Sequence, residues 1–141
     1  MIGGVEIPFG KGLHGHSDAD VLLHALGDAL LGAAGERDIG HHFPDNDPHY
    51  QGISSRKIIE GVLKVISEKG YRIVNVDTTI VAEKPRLSPF IEEIKEKLAA
   101  ALGVSPDLVG VKAKTAEGTG EVGEGKGISA YAVVLLVKSS E

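Results

Sequence analysis

The sequence predicts one α+β domain in which helices pack against one face of a sheet. Helical and strand periodicities follow one another in the order α-α-β-α-β-β, and no repeat, low-complexity tract or linker divides the 141 residues. The apolar fraction of 42% is enough to build a core in a chain of this length.

Each element has its own signal. The first helix opens at Ser17-Asp18-Ala19-Asp20, a Ser-x-x-Asp pattern like a capping box, and then places Leu22, Leu26, Ala29, Leu30 and Ala33 on one face. A loop rich in His, Asp and Pro runs from residue 38 to about residue 52. The second helix starts near Ser54, buries Ile58, Ile59, Val62, Val65 and Ile66, and stops at Gly70 as a C-terminal cap. Residues 72–82 read as a strand with Val74, Val76, Thr78, Ile80 and Ala82 on one face. Ser88-Pro89 opens the third helix as cap and first helical position; Ile91, Ile94, Leu98, Ala101 and Leu102 form its stripe, and Gly103 ends it. Residues 109–115 and 128–137 are strands around a glycine-rich connection, and a short strand is expected at residues 5–9. The apolar run at 131–137 reads as a buried strand.

Composition excludes several function classes. Fifteen Lys and Arg against 20 Asp and Glu give a formal charge of −5, so no basic stripe is available for a nucleic-acid backbone. No apolar run reaches membrane-spanning length, and the N-terminus lacks the basic and apolar regions of a secretory signal, so the expected location is the cytoplasm. Without cysteine, a transition metal would have to be held by His, Asp or Glu. An acidic protein that binds a small polyanion must supply positive charge locally, through cations, helix N-termini or a few Lys and Arg.

Three segments could carry chemistry. Asp20, His24 and Asp28 are spaced four apart and form a polar stripe on the first helix. The ordinary reading is a solvated face; the functional one is a metal-binding imidazole oriented by a neighbouring carboxylate. The second segment, from Asp38 to His49, holds three His and three Asp. Asp45-x-Asp47 lacks the Gly and distal Glu of a calcium loop, while Pro44 and Pro48 stiffen a surface loop of the kind that binds ligands. In the third, Lys114 and Thr115 could contact phosphate and Glu117 a hard cation such as magnesium, although no Walker A ending is present. A flexible hairpin connection explains the glycines there equally well.

Taken together the segments are far more specific. Gly15-His16-Ser17-Asp18-Ala19-Asp20-Val21, His24-Ala25, and Asp28-Ala29-Leu30-Leu31-Gly32-Ala33 resemble the signature of the 2-C-methyl-D-erythritol 2,4-cyclodiphosphate synthase family. Asp38-Ile39-Gly40, Phe43-Pro44-Asp45-Asn46-Asp47-Pro48, Asn75-Val76-Asp77, residues 82–89 and residues 112–117 continue it in order. The resemblance implies a ferredoxin-like α+β sandwich with one mixed sheet and helices on one face, assembled as a homotrimer with active sites between subunits. It implies cyclisation of 4-diphosphocytidyl-2-C-methyl-D-erythritol 2-phosphate with release of CMP, in the non-mevalonate route to isoprenoid precursors.

Carried over by position, His24 would be a zinc (or other divalent transition metal) ligand, with Asp20 or Asp28 orienting it. His16 and Ser17 would contact phosphate, His16 also stabilising the transition state, and Thr115 would support the phosphoryl group in flight. Glu117 would hold magnesium or manganese. Asp38, Ile39, Gly40, Phe43, Pro44, Asp45, Asn46 and Asp47 would hold the erythritol and ribose hydroxyls. Ala82, Pro85, Arg86 and Leu87 would receive the cytosine, and Lys114 and Ala116 would adjoin phosphate.

Two departures stand out. The family opens with a strand ending Gly-x-Asp-x-His, whose Asp and His complete the zinc site; residues 1–13 hold no match, and Met1 falls within the family's second strand. The expectation is therefore a single synthase domain over residues 1–141, shortened at its N-terminus, with a natural variant lacking zinc as the competing reading. Glu121 and Glu124 stand where many relatives carry Phe and Arg along the trimer axis, which argues against an isoprenoid diphosphate binding there. The rival function from another class is a non-catalytic, cytidine-nucleotide-binding trimer.

Overall fold

The computed structural model describes residues 1–7, 20–44, 47, 54–83, 86–118 and 127–139. The elements are α1 (Val21–Ala33), α2 (Ile39–His42), α3 (Ser55–Glu68), β1 (Tyr71–Val81), α4 (Ile91–Leu102), β2 (Val109–Lys114) and β3 (Ser129–Lys138). Short 3-10 turns, Ser88–Phe90 and Pro106–Leu108, lead into α4 and β2. Apart from the one-turn helix α2, the order is the expected one.

β1 is the central strand of a mixed sheet of order β2-β1-β3, parallel to β2 and antiparallel to β3. Its long pairing on both sides follows from a β-branched stretch, with Val76, Thr78 and Ile80 buried. A register shift between Ile73 and Asn75 marks a bulge at Val74. Because one extra residue reverses the alternation, Ile73 rather than Val74 joins the core, a correction to the expected face.

The helices cover one side of the sheet, α1 lying across β3 and against α3, and α4 against β2. Sandwiched between sheet and α3, α1 buries two adjoining stripes: Leu22, Leu23, Leu26, Gly27, Leu30 and Leu31. The expected single stripe was too narrow, and Ala33 is exposed. In α3 the expected residues Ile58, Ile59, Val62 and Ile66 are buried, capped by Ser54, whose hydroxyl accepts from Lys57 N. Gly70 and Gly103 end α3 and α4 at φ of 84° and 70°, a left-handed geometry that an L side chain resists. Ser88 gives α4 no side-chain cap; its hydroxyl accepts instead from Arg86 Nε at 3.3 Å.

Residues 131–137 depart from their expectation. Ala132, Val134 and Leu136 pack on the core, whereas Tyr131, Val133 and Leu135 stand 63%, 73% and 55% exposed on the uncovered sheet face.

The N-terminus packs Ile2, Val5 and Ile7 into the core and is hydrogen-bonded by the Asp20 carboxylate. Ile2 and Val5 form an isolated bridge around Gly3 and Gly4, both at positive φ, in place of the expected strand as far as residue 7. Asp20, 1% exposed, accepts there from Gly3 N (2.9 Å) and Gly4 N (2.8 Å) and also from Leu23 N (3.0 Å). The N-cap of α1 is thus Asp20, not the expected Ser17, which lies outside the described residues. Charged acceptors with several backbone donors are among the stronger hydrogen-bonded groups. Asp20→Ala leaves three donors without their acceptor and is expected to lower the unfolding free energy by about 3 kcal/mol in urea titrations.

Candidate active site

Two groups of predicted residues lie on different elements. The first is built on α1, α2 and the start of α3. His24 stands exposed on α1, and its Nε2 lies 3.2 Å from Ser55 Oγ at the first residue of α3. Ser55 is 2% exposed, so its hydroxyl is a fixed partner for the ring. The carboxylates expected to orient His24 are engaged elsewhere: Asp20 on the N-terminal turn, and Asp28 Oδ1 on Ile39 N at 2.9 Å.

That Asp28 contact seats α2. Asp38 caps it, accepting from His41 N at 3.0 Å, and apolar side chains at both ends enter notches left by glycines. A Cβ on Gly27 would come within 2.6 Å of Ile39, and one on Gly61 within 2.6 Å of the Phe43 ring. On the outer side, Glu36 Oε1 lies 3.1 Å from His42 Nε2, and Glu36 Oε2 accepts from Lys69 Nζ at 2.8 Å. Lys69 also reaches Ala34 O, tying the ends of α1 and α3 together. His42 Nε2 is shut off from solvent, and its approach to Glu36 lacks hydrogen-bond alignment. Asp38, Ile39, Gly40, Phe43 and Pro44 are consequently presented on one braced turn.

The second group lies at the carboxyl ends of β1 and β2, where parallel strands commonly open a ligand cleft. A cleft of about 420 Å³ is lined by Ala82, Glu83, Arg86, Leu87, Ser88, Ala113, Lys114 and Thr115. Ala82 and Leu87 are buried and give it an apolar wall, while Arg86 and Lys114 bring the cationic side chains. Ala82 N continues the ladder to Lys114 O, after which the two chains diverge. In the following turn Glu117 N donates to Thr115 Oγ1 at 3.3 Å. Glu117 has φ of 51°, and among the described residues no other non-glycine has positive φ. Such a backbone costs about 1–3 kcal/mol and tends to occur where it serves a site.

Predicted residues His16, Ser17, Asp45, Asn46 and Pro85 lie outside the described residues, as do Glu121 and Glu124. The described residues bring no three His, Asp or Glu side chains together as a metal-binding group, so a zinc site does not assemble from them. Glu117 alone is a fitting magnesium donor, because that ion takes one or two carboxylates and fills its shell from water and substrate phosphates. Sequence reading missed Ser55, Glu36, Glu83 and the notch glycines. Only the glycines carried a signal, being helix-interior positions that disfavour Gly.

The molecule is an α+β domain whose strand-end cleft combines an apolar wall with Arg86, Lys114 and the carboxylate of Glu83. The family model described as the YgbB family matches residues 1–137. The 2-C-methyl-D-erythritol 2,4-cyclodiphosphate synthase of Pelotomaculum thermopropionicum is 57% identical over 141 residues, covering 100% of this chain and 87% of that protein. Of solved structures, the bifunctional IspDF of Campylobacter jejuni superposes with a TM-score of 0.91 at 34% identity, covering 98% of this chain and 37% of the longer one. The CDP complex of Plasmodium falciparum IspF gives 0.82 at 32% identity, covering 99% of this chain and 83% of that one. The chain belongs to the YgbB family.

The brace on α2 has a measurable pH signature. The hydrogen-bonded Lys69 ammonium draws the Glu36 carboxyl below its ordinary value of 4.5; partial burial opposes this, and Lys69, His42 and His41 add charge attraction. With the folded value depressed, the stabilisation is fully present above about 4.5 and is lost as pH falls through the folded value. The difference in melting temperature between the unmodified chain and Glu36→Gln is expected to be fully developed at pH 5. It should shrink as pH is lowered from 4.5 toward 3.

Proposed function

We propose that the chain converts 4-diphosphocytidyl-2-C-methyl-D-erythritol 2-phosphate to 2-C-methyl-D-erythritol 2,4-cyclodiphosphate and CMP. The observation that carries this reading is the strand-end cleft, with its apolar wall and cationic rim, in a chain of the YgbB family whose relative was solved with CDP. An oxygen of the 2-phosphate attacks the β-phosphorus; the new P–O bond closes the ring as the bond from that phosphorus to the bridging oxygen breaks, and CMP leaves with the oxygen. Phosphoryl transfer of this kind asks the protein mainly for positioning and charge neutralisation.

In this reading Ala82 and Leu87 take one face of the cytosine, with Pro85 beside them, and Arg86 and Lys114 attract the diphosphate. Thr115 and Ala116 flank the phosphoryl group, with the Thr115 hydroxyl donating to it. Glu117 would hold magnesium or manganese, which when bound would spread the charge of the diphosphate and ease CMP departure. His16 and Ser17 contact phosphate. Asp38, Ile39, Gly40, Phe43, Pro44, Asp45, Asn46 and Asp47 surround the erythritol and ribose hydroxyls. His24, held by Ser55, stands as the family's zinc-ligand position, and no step is assigned to zinc.

The assembly we propose is a homotrimer with sites between copies, in the cytoplasm. Its support is the uncovered sheet face, where Tyr131, Val133 and Leu135 form an apolar stripe beside the Asp77–Lys112 ion pair. A continuous apolar run is what a strand covered on both faces requires. The strand-end cleft also has none of His24, Asp38 or Phe43 in its lining, which a neighbouring copy would supply.

The test is incubation of the chain with the cytidyl substrate and magnesium, followed by phosphorus NMR. Equimolar CMP and cyclic diphosphate are expected, abolished by EDTA and reduced about 100-fold or more in kcat by Glu117→Gln. Tight CDP binding without any turnover would contradict the catalytic reading and leave the nucleotide-binding trimer.

A further inference from the structure

Beyond the last rung of the β1–β2 ladder, one side chain crosses the mouth of the cleft. Glu83 Oε1 accepts from Gly118 N at 3.2 Å, joining residues 35 positions apart. Glu83 follows Ala82 at the end of β1, on the side of the cleft that holds Arg86 and Leu87. Gly118 belongs to the opposite side, directly after Thr115, Ala116 and Glu117. The turn needs external support, because it carries two consecutive positive φ angles, 51° at Glu117 and 77° at Gly118. Only the glycine adopts this without side-chain resistance. Two side-chain acceptors hold it: Thr115 Oγ1 on the amide of Glu117, and Glu83 on the amide of Gly118.

We infer that Glu83 is a positioning residue, whose carboxylate acts as a hydrogen-bond acceptor that fixes the Thr115–Glu117 turn relative to the base-receiving wall. The inference rests on the function proposed above, since it assigns Thr115 and Glu117 their tasks. Its content differs from a metal-binding or electrostatic role for Glu83, which the acidic side chain by itself would suggest. An acceptor needs only an oxygen at the right place, so an amide replaces it; a charge or a cation ligand needs the carboxylate. Misplacing groups that align a phosphoryl transfer slows the chemical step more than it weakens binding.

The experiment compares the full unmodified chain with E83Q and E83A, reading kcat and KM for CMP release and amide exchange of the substrate-free proteins. In E83A, kcat is expected to fall about tenfold or more with KM changed less than about threefold, and the Gly118 amide to exchange about tenfold faster. E83Q should recover most of the rate and the slow exchange. Equal loss in E83Q and E83A overturns the inference in favour of a charge or ligand role, and unchanged Gly118 exchange in E83A overturns it outright. An unmodified chain that makes no CMP, with Gly118 still freed in E83A and held in E83Q, refutes the proposed reaction while the positioning role stands.

Discussion

The Asp20 carboxylate, shut away from solvent with three backbone amides around it, sets where α1 begins and where the N-terminal turn ends. A chain of dependence leads outward from it. With the first turn of α1 fixed, His24 and Asp28 follow one and two turns on, and Asp28 then captures the Ile39 amide that starts α2. α2 in turn presents Asp38 and Gly40. Among the described residues this buried acceptor stands at the head of the contacts that lead through His24 and Asp28 to α2, and the cost of burying it is offset because its donors are supplied by the backbone.

The sheet half is organised differently. There the parallel pairing of β1 and β2 brings Ala82 and Lys114 to the same level, and the diverging chains leave a cleft between them. An apolar stripe on the far side of β3 leaves this half unfinished in a single chain. The helical and sheet halves complement each other chemically, one offering hydroxyl and imidazole partners on a braced turn, the other an apolar wall with cations. The proposed trimer, with sites between copies, would bring the two halves together and cover the open sheet face.

Much of the fold was legible because its signals are local. Ser54, Gly70 and Gly103 announced helix ends through cap chemistry, and β1 through its β-branched run. The exceptions are properties of pairs rather than of segments. The bulge at Val74 is a feature of the β1–β3 pairing and not of either strand alone. Asp20 caps α1 while also accepting from amides 16 and 17 residues away, contacts that a local capping pattern does not announce. In the site, the motifs pointed to Thr115, Lys114 and Leu87, which the cleft brings together, while their supports stayed invisible. Ser55 and Glu83 touch their partners across 31 and 35 residues, and nothing in a Ser before Arg or a Glu after Ala declares such a contact. The apolar run on β3 was misread because hydrophobicity alone does not say which face of a strand packs on the core.

The central claim is that one catalytic site takes its parts from two copies, and subunit complementation tests it most directly. Asp38→Asn, disabled in the helical half, and Glu117→Gln, disabled in the sheet half, are each purified, unfolded, mixed in equal amounts and refolded together. If sites form between neighbours, random assembly pairs two intact halves in about a quarter of the sites, and CMP release should return to about a quarter of the unmodified rate. Activity no greater than the mean of the two parents would place the whole site within one chain and contradict the account.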